Sequence, residues 1–354
     1  MSARRPGTRS APRSLPLAVT IGEPAGIGPD ITLAAWRHRK ELSLPPFYVI
    51  ADPDFLARRA QLLKIEAKFA NVIPENAADV FADKLPVVPL DLAVTAEPAH
   101  PDATSAPAAI SSIDRAVEDV VSGRAAAIVT NPVAKAVLYR AGFPDPGHTE
   151  YLGRLAAAST SDPVRPVMMI WSAELAVVPV TVHLPLQDVP AGLTTELIIE
   201  TARIVARDLA RRFGVDRPRI AVAGLNPHAG EDGTLGAGDR DIIAPAIRQL
   251  VADGIDARGP FPADTMFHKA ARETYDVALC MYHDQALIPV KTLAFYEAVN
   301  VTLGLPFVRT SPDHGTAFAV AGTGRANPTS LIEALRLADR ISGTHVAAPA
   351  LSQV

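Results

Sequence analysis

Short apolar runs rich in β-branched residues alternate with stretches of helical spacing along most of the chain, and this alternation restricts its fold most. The runs at 15–21, 47–50, 125–130, 176–182, 219–224 and 276–282 have strand length and lack the polar alternation of a half-solvated strand. They predict buried strands of parallel sheets joined by right-handed helical crossovers. A helix is expected from Pro29, since proline suits the first helical position and Asp30 the first turn. Further helices are expected over 108–122, 194–213, 239–253 and 330–341. The stretch 74–107 reads as irregular apart from a strand near Val87, and 305–308 reads as a strand with Arg309 at its carboxyl end.

At 354 residues the chain is too long for one ordinary core. The expected division is a first α/β lobe from 15–140 plus 308–354 and a second from 141–307, behind a disordered leader at 1–14. Arg4, Arg5, Arg9 and Arg13 in that leader come without the apolar core of a secretory signal, leaving an organelle transit peptide as the other reading. A formal net charge of −4 speaks against a general nucleic-acid partner. No apolar stretch approaches the ~20 residues that span a bilayer, so no membrane partner is expected. Cys280 is the single cysteine, which rules out an intramolecular disulfide and suits a reducing cytoplasm.

Three histidines fall where ligands bind in open α/β sheets, beyond the carboxyl ends of strands. His183 follows the run 176–182, His228 lies in the loop after 219–224, and His283 follows 276–282. Three neutral imidazoles leave a coordination position open for substrate, so together they read as a catalytic metal site built from distant segments. Zinc is the default ion for such ligands, while an oxygen-rich substrate admits magnesium, manganese or cobalt. Asp284, beside His283, is placed to orient a ligand or to support a ligating residue from behind.

Lys291 and Arg309 together suit an anionic substrate. The loop Gly22-Glu-Pro-Ala-Gly-Ile-Gly28 lacks both the Rossmann fingerprint and the P-loop ending; it reads either as a cradle for a polar ligand or as a tight strand-to-helix turn. The Gly/Ala-rich loop from Asp313 to Pro328 allows close backbone approach to a flat ligand such as adenine.

Gly22-Glu-Pro-Ala-Gly-Ile-Gly-Pro29, Gly147-His-Thr-Glu150, Leu225-Asn-Pro-His-Ala-Gly-Glu231, Met281-Tyr-His-Asp-Gln285 and Asp313-His-Gly-Thr-Ala317 occur in this order. With these motifs the chain resembles the 4-hydroxythreonine-4-phosphate dehydrogenase (PdxA) family from about Leu15 to Ala338. The resemblance implies a two-lobed α/β/α subunit of the isocitrate/isopropylmalate dehydrogenase-like type, with its active site in the interlobe cleft of a homodimer. His183, His228 and His283 match the family's metal ligands, contributed from both subunits, and His148, Thr149, Lys291, Asn300 and Arg309 match its substrate-binding positions.

The implied reaction is the NAD-dependent, metal-assisted oxidative decarboxylation of 4-phosphooxy-L-threonine to 3-amino-2-oxopropyl phosphate in vitamin B6 biosynthesis. By analogy with the related dehydrogenases, the adenine end of NAD lies against His314, Gly315 and Asn327, and NADP stays open. The general base is left among Lys291, Asp264, Asp284 and a metal-bound water.

Two features depart from the family. Gly238-Asp-Arg-Asp241 stands where a pair of glutamates is expected, and the arginine-rich leader is extra. They leave room for a paralogue acting on a phosphorylated threonate or erythronate or on a dihydroxycyclohexadiene dicarboxylate. A metal-dependent binding protein without turnover is the alternative of a different class.

Overall fold

The computed structural model describes residues 15–343; the leader at 1–14 and the tail from 344 lie outside the described residues. Strands β1 (Leu17–Thr20), β2 (Phe47–Ala51), β3 (Phe69–Asn71), β4 (Leu85–Pro89), β5 (Ile128–Val129) and β6 (Val167–Trp171) are followed by β7 (Ala176–Pro179), β8 (Ile220–Ala223), β9 (Ala257–Phe261), β10 (Val277–Cys280), β11 (Val299–Leu303) and β12 (Arg309–Pro312). They form one sheet in the order β3-β4-β2-β1-β5-β12-β11-β6-β7-β10-β8-β9. The six strands from β3 to β12 pair in parallel, as do β7, β10, β8 and β9.

The expectation of wholly parallel sheets needs correction at the centre, where β12–β11, β11–β6 and β6–β7 pair antiparallel. The reason is connection length. A parallel pair needs a crossover of a dozen or more residues, whereas only residues 172–175 separate β6 from β7 and only 304–308 separate β11 from β12. Ser172 closes the first turn through its N–H to the Leu175 carbonyl (3.0 Å). The second turn is Gly304, at φ +80°, followed by Leu305, Pro306 and Phe307. These residues form a bend rather than the strand expected at 305–308, because a left-handed residue and a proline without an N–H interrupt the ladder. Arg309 is therefore the first residue of β12 and does not follow a carboxyl end.

The antiparallel centre reverses strand direction between the two halves of the sheet. One half is made by chain before Thr130 and after Val308, the other by chain between them. β1, β2 and β10 are buried along their whole length, as their apolar runs require. Helices pack on both faces, and their ends follow the local chemistry. Thr194 caps Thr195–Phe213 by accepting from Leu197 N–H (3.1 Å), and Gly214 ends that helix at φ +70°. The stretch 74–107 is less irregular than expected, since it holds β4 and the short helix Ala77–Val80.

The glycine loop after β1 is the tight turn rather than an open cradle. A Cβ on Gly22 would lie 2.6 Å from the Pro132 carbonyl oxygen, and one on Gly28 2.7 Å from that of Ile21. Arg59, buried and ion-paired with Asp30, donates to the carbonyls of Pro24 (2.7 Å) and Gly26 (3.2 Å). Asp30 in turn accepts from Gly322 N–H (2.6 Å), which ties the glycine loop to the loop before the last helix.

Candidate active site

Cross-strand partners share a face of the sheet. The pairings Asn300 with Ser311, Asn300 with Ile170 and Thr302 with Met168 therefore put Met168, Asn300, Thr302 and Ser311 on one face of the antiparallel centre. A cavity of about 480 Å³ opens over that face where the two halves meet. His148, Thr149, Lys291, Asn300, Arg309, His314 and Gly315 all line it, together with His183 and His283.

Arg309 forms the cavity's floor and is 3% exposed. Thr130 Oγ1 accepts from its Nε (3.0 Å) and Nη2 (2.6 Å), and Thr302 Oγ1 accepts from its Nη1 (2.9 Å). Neutral hydroxyls orient the guanidinium without neutralising it, and burial lowers its pKa to about 10. An oriented buried cation without a carboxylate partner suits an anionic ligand. Lys291 Nζ donates to the Asp313 carbonyl (2.7 Å) and lies 2.7 Å from Asp313 Oδ2. Burial holds the Asp313 carboxyl above its usual range although Lys291 opposes this.

Among the polar atoms of this lining that are shut off from solvent without a hydrogen-bond partner are His148 Nε2, His314 Nε2 and Asn131 Oδ1. Burial, and then the charge of Arg309, depress the His148 pKa well below the usual imidazole value. Burial also lowers that of His314, whose Nδ1 sits 3.0 Å from the Gly315 carbonyl oxygen.

The ring centroids of His183 and His283 are 6.0 Å apart. His183, four residues past β7, has its pKa lowered by burial, then by Lys135 and His283, which favours the neutral form a metal needs. His283 opens the helix His283–Leu293, and its Nδ1 donates to Asp284 Oδ1 (2.7 Å), leaving Nε2 free as a donor atom. These two imidazoles suit a divalent metal ion. The third does not join them within the chain, because His228 is exposed and does not line the cavity. No group of three or more His, Cys, Asp or Glu among the described residues is placed to hold a metal.

The His228 loop is built with strain. His228, Ala229, Glu231 and Asp232 take φ between +42° and +57°, and Gly230 takes +79°. Non-glycine residues in this region persist only where their surroundings hold them, and such sites concentrate at function. The clamp is buried Asp239, which accepts from Leu225 N–H (2.7 Å), Asn226 N–H (3.2 Å) and Asn226 Nδ2 (2.8 Å). Asp239 belongs to the segment Gly238-Asp-Arg-Asp241, and it serves to shape this loop.

Other expected residues fall outside the cavity. Asp264 is exposed in a turn after β9, and Asp284 is exposed beside His283. Asn327 lies just before the last helix, with its Oδ1 accepting from Thr329 N–H (2.9 Å) and Oγ1 (2.7 Å). Thr130, Asn131 and Lys135 line the cavity without having been singled out in sequence, and Asp313, read there only as the start of a motif, lines it too. For Thr130 and Asn131 the position at the end of an apolar run was the available signal.

The family model for "Pyridoxal phosphate biosynthetic protein PdxA" matches residues 43–338. The chain belongs to the PdxA family. It is 62% identical to a 4-hydroxythreonine-4-phosphate dehydrogenase of Bradyrhizobium diazoefficiens over 92% of this chain and 97% of that one. With the enzyme of that name from Xanthobacter autotrophicus the identity is 60%, over 92% and 93%. Among solved structures, 4-hydroxythreonine-4-phosphate dehydrogenase from Klebsiella pneumoniae superposes with a TM-score of 0.83 at 36% identity, covering 94% of this chain and 99% of its own. A terephthalate 1,2-cis-dihydrodiol dehydrogenase from Burkholderia xenovorans matches less well, with a TM-score of 0.62 at 26% identity over 95% and 100%. The PdxA fold is thus the α/β fold described above, with its mixed central sheet.

Proposed function

We propose that this PdxA-family chain is a 4-hydroxythreonine-4-phosphate dehydrogenase, oxidising 4-phosphooxy-L-threonine with NAD and releasing carbon dioxide to leave 3-amino-2-oxopropyl phosphate. The observation that carries the reading is the single cavity in which Arg309, Lys291, Asn300, His148 and Thr149 face the same space as His183 and His283. Cations on one wall suit the anionic groups of the substrate, and imidazoles on the other suit a divalent ion, with zinc the first choice. When bound, the metal supplies Lewis-acid polarisation of the substrate alcohol, and NAD accepts the hydride.

The chain's own residues bind and orient. Arg309 and Lys291 fix the anionic groups so that the carbinol hydrogen faces the nicotinamide. His314 and Gly315 line the side of the cavity toward the expected dinucleotide loop. Of the side-chain candidates for general base, Lys291 is the one lining the cavity, with its ammonium held by Asp313.

The metal triad is completed in this reading by His228 of a second copy. Large apolar side chains stand exposed at Leu184 and Leu186, just after His183 in the chain, and at Ile288, Phe295 and Tyr296, on and just after the helix that His283 opens. A second chain covering this face would bury them and bring its own His228 loop to the site. The two lobes follow the two halves of the sheet, 15–140 with 308–343 and 141–307. The cytoplasm, with its reduced thiols, is the proposed location.

The test is spectrophotometric. Metal-loaded protein is assayed for NADH formation with 4-phosphooxy-L-threonine, 4-phosphoerythronate, phosphorylated threonate and a dihydroxycyclohexadiene dicarboxylate, with NAD and with NADP. The reading requires the highest kcat/KM on 4-phosphooxy-L-threonine with NAD. A preference for any of the others transfers the chain to a sister activity, and ligand-induced stabilisation without any nicotinamide reduction would make it a binding protein.

A further inference from the structure

Gln285 is buried but does not line the cavity, although it lies two residues past His283 on the helix His283–Leu293. A buried carboxamide needs partners for both its ends, and Gln285 finds them on two neighbouring strands. Strands β10 and β8 pair in parallel up to Leu279 and Val222, a register that sets Met281 opposite Gly224 just beyond. The Gln285 side chain enters there: Oε1 accepts from Met281 N–H (2.7 Å) and Nε2 donates to the Gly224 carbonyl (2.7 Å). It replaces a rung of the ladder where the two strands part, β10 toward His283 and β8 toward His228.

Both ends of this bridge run on to histidines. Thr181, two residues before His183, donates to the Met281 carbonyl from Oγ1 (2.7 Å) and from its N–H (3.2 Å). On the other side, the peptide that carries the Gly224 carbonyl is also held at its N–H, which Leu225 donates to Asp239 (2.7 Å). The loop folds back onto Gly224, where a Cβ would lie 2.8 Å from Cα of Ala229, the residue after His228. Buried Thr181, Met281, Gln285, Gly224 and Asp239 thus join the three histidine segments across the carboxyl ends of β7, β10 and β8.

We propose that Gln285 is a positioning residue for the metal ligands and that it couples the two metal sites of a dimer. This rests on the reading above that His228 serves the site of a second copy. On that reading His183 and His283 of a chain serve one site and its His228 the other, so each Gln285 bridge runs from one site to its symmetry mate. An ion at the first site fixes His283 of one chain and His228 of the other. Each Gln285 passes that order to the ligand its chain offers the second site, and the second ion meets ligands already ordered. The His228 loop has the most to gain, since four of its non-glycine residues are held at positive φ.

The experiment titrates chelator-stripped protein with cobalt(II) and follows the visible absorption of the bound ion. Wild type should bind the second ion of a dimer about 5- to 150-fold more tightly than the first. Gln285→Met keeps the length of the side chain and loses both hydrogen bonds. It should bind cobalt about 10- to 100-fold more weakly, with an altered spectrum and with both ions alike. Gln285→Asn, one methylene short of spanning both partners, should do the same and serves if the methionine variant does not fold. Tyr48→Phe is the control, since it removes a buried hydrogen bond to Asp119 (2.7 Å) in the other half of the sheet. It should lower thermal stability and keep the wild-type titration.

A folded Gln285 variant with wild-type affinity and coupling overturns the proposal. So does an equal loss in Tyr48→Phe, which would make the effect one of general stability. Wild type that binds its two ions independently overturns it as well, and a mixed dimer of His228→Ala and His283→Ala then shows how far the failure reaches. Restored activity in the mixed dimer leaves the two-chain site standing and removes only the coupling through Gln285. Without restoration, the two-chain reading falls too.

Discussion

The two walls of the cavity are built to different degrees of completion. The cationic wall is finished within one chain: Arg309 is buried, its hydrogen bonds run to Thr130 and Thr302, and Lys291 is locked to Asp313. The histidine wall is half finished, with His183 and His283 facing each other and His228 exposed on a strained loop outside the cavity. In the proposed function anion recognition is thus a property of the folded subunit, whereas the metal site needs something more. In the proposed reading that is a second subunit, and association becomes a step in building the catalyst.

The sharpest way to break this comparison is complementation. His228→Ala and His283→Ala should each lose metal and essentially all turnover while remaining folded. If the triad spans two chains, a mixed dimer of the two variants has one intact site and one doubly damaged site. Random reassortment of an equal mixture should then restore roughly a quarter of wild-type activity, as follows from a two-fold dimer with two shared sites. Activity remaining at the level of either variant alone would show that each chain assembles its own triad. The cationic wall should behave otherwise: Arg309→Ala is expected to keep its metal while the KM for the phosphorylated substrate rises about 10- to 100-fold, the worth of charge-assisted hydrogen bonds. Metal loss in that variant, measured by elemental analysis, would mean that the walls are not independent.

The same division explains how much could be read from sequence. Imidazoles following apolar runs are conspicuous, so His183, His228 and His283 were legible one by one. Their placement relative to Arg309 and the cationic wall was not, because it depends on the reversal of strand direction at the sheet centre. That reversal is set by the short connections 172–175 and 304–308 rather than by any hydrophobic pattern. The same blind spot misplaced Arg309, whose position turns on the left-handed Gly304 and on Pro306. Asp239 was hidden for a different reason, since an aspartate in a polar loop carries no mark of being buried until the backbone N–H groups of Leu225 and Asn226 turn toward it. Asn131, Asp313 and Lys135 likewise acquire meaning only from what the fold sets beside them.

A smaller effect distinguishes the walls by pH. The cationic wall keeps His148 neutral, since burial and then Arg309 lower its pKa in the folded chain. The unfolded chain takes up a proton near the ordinary imidazole value of about 6.5 while the folded chain does not. The unfolded state therefore binds more protons below that pH, and stability is lost as pH falls through this range. His148→Gln should reduce the slope of unfolding free energy against pH between about pH 6.5 and 5, by at most ~1.4 kcal/mol per pH unit. His183 and His314, also shifted downward, leave a residual slope. Denaturant melts across that range measure it, and a slope identical to wild type would mean that His148 is protonated in the folded state.

The smallest expected effect concerns Cys280, at the end of β10 and three residues before His283. A thiol so near a proposed metal ligand invites the question whether it completes the histidine wall. Its packing argues against that. Cys280 is fully buried in an apolar cluster with Ile170, Val177, Ala278 and Ala286, and burial pushes its thiol pKa up, away from the thiolate that a metal requires. The native protein should resist an alkylating reagent at pH 8 and react with one equivalent only after unfolding in denaturant. Cys280→Ala should retain metal content and turnover, at a modest cost in stability from the lost packing. Labelling of the native chain, or metal loss in Cys280→Ala, would bring the thiol into the site and make the histidine wall more complete within one chain than its geometry indicates.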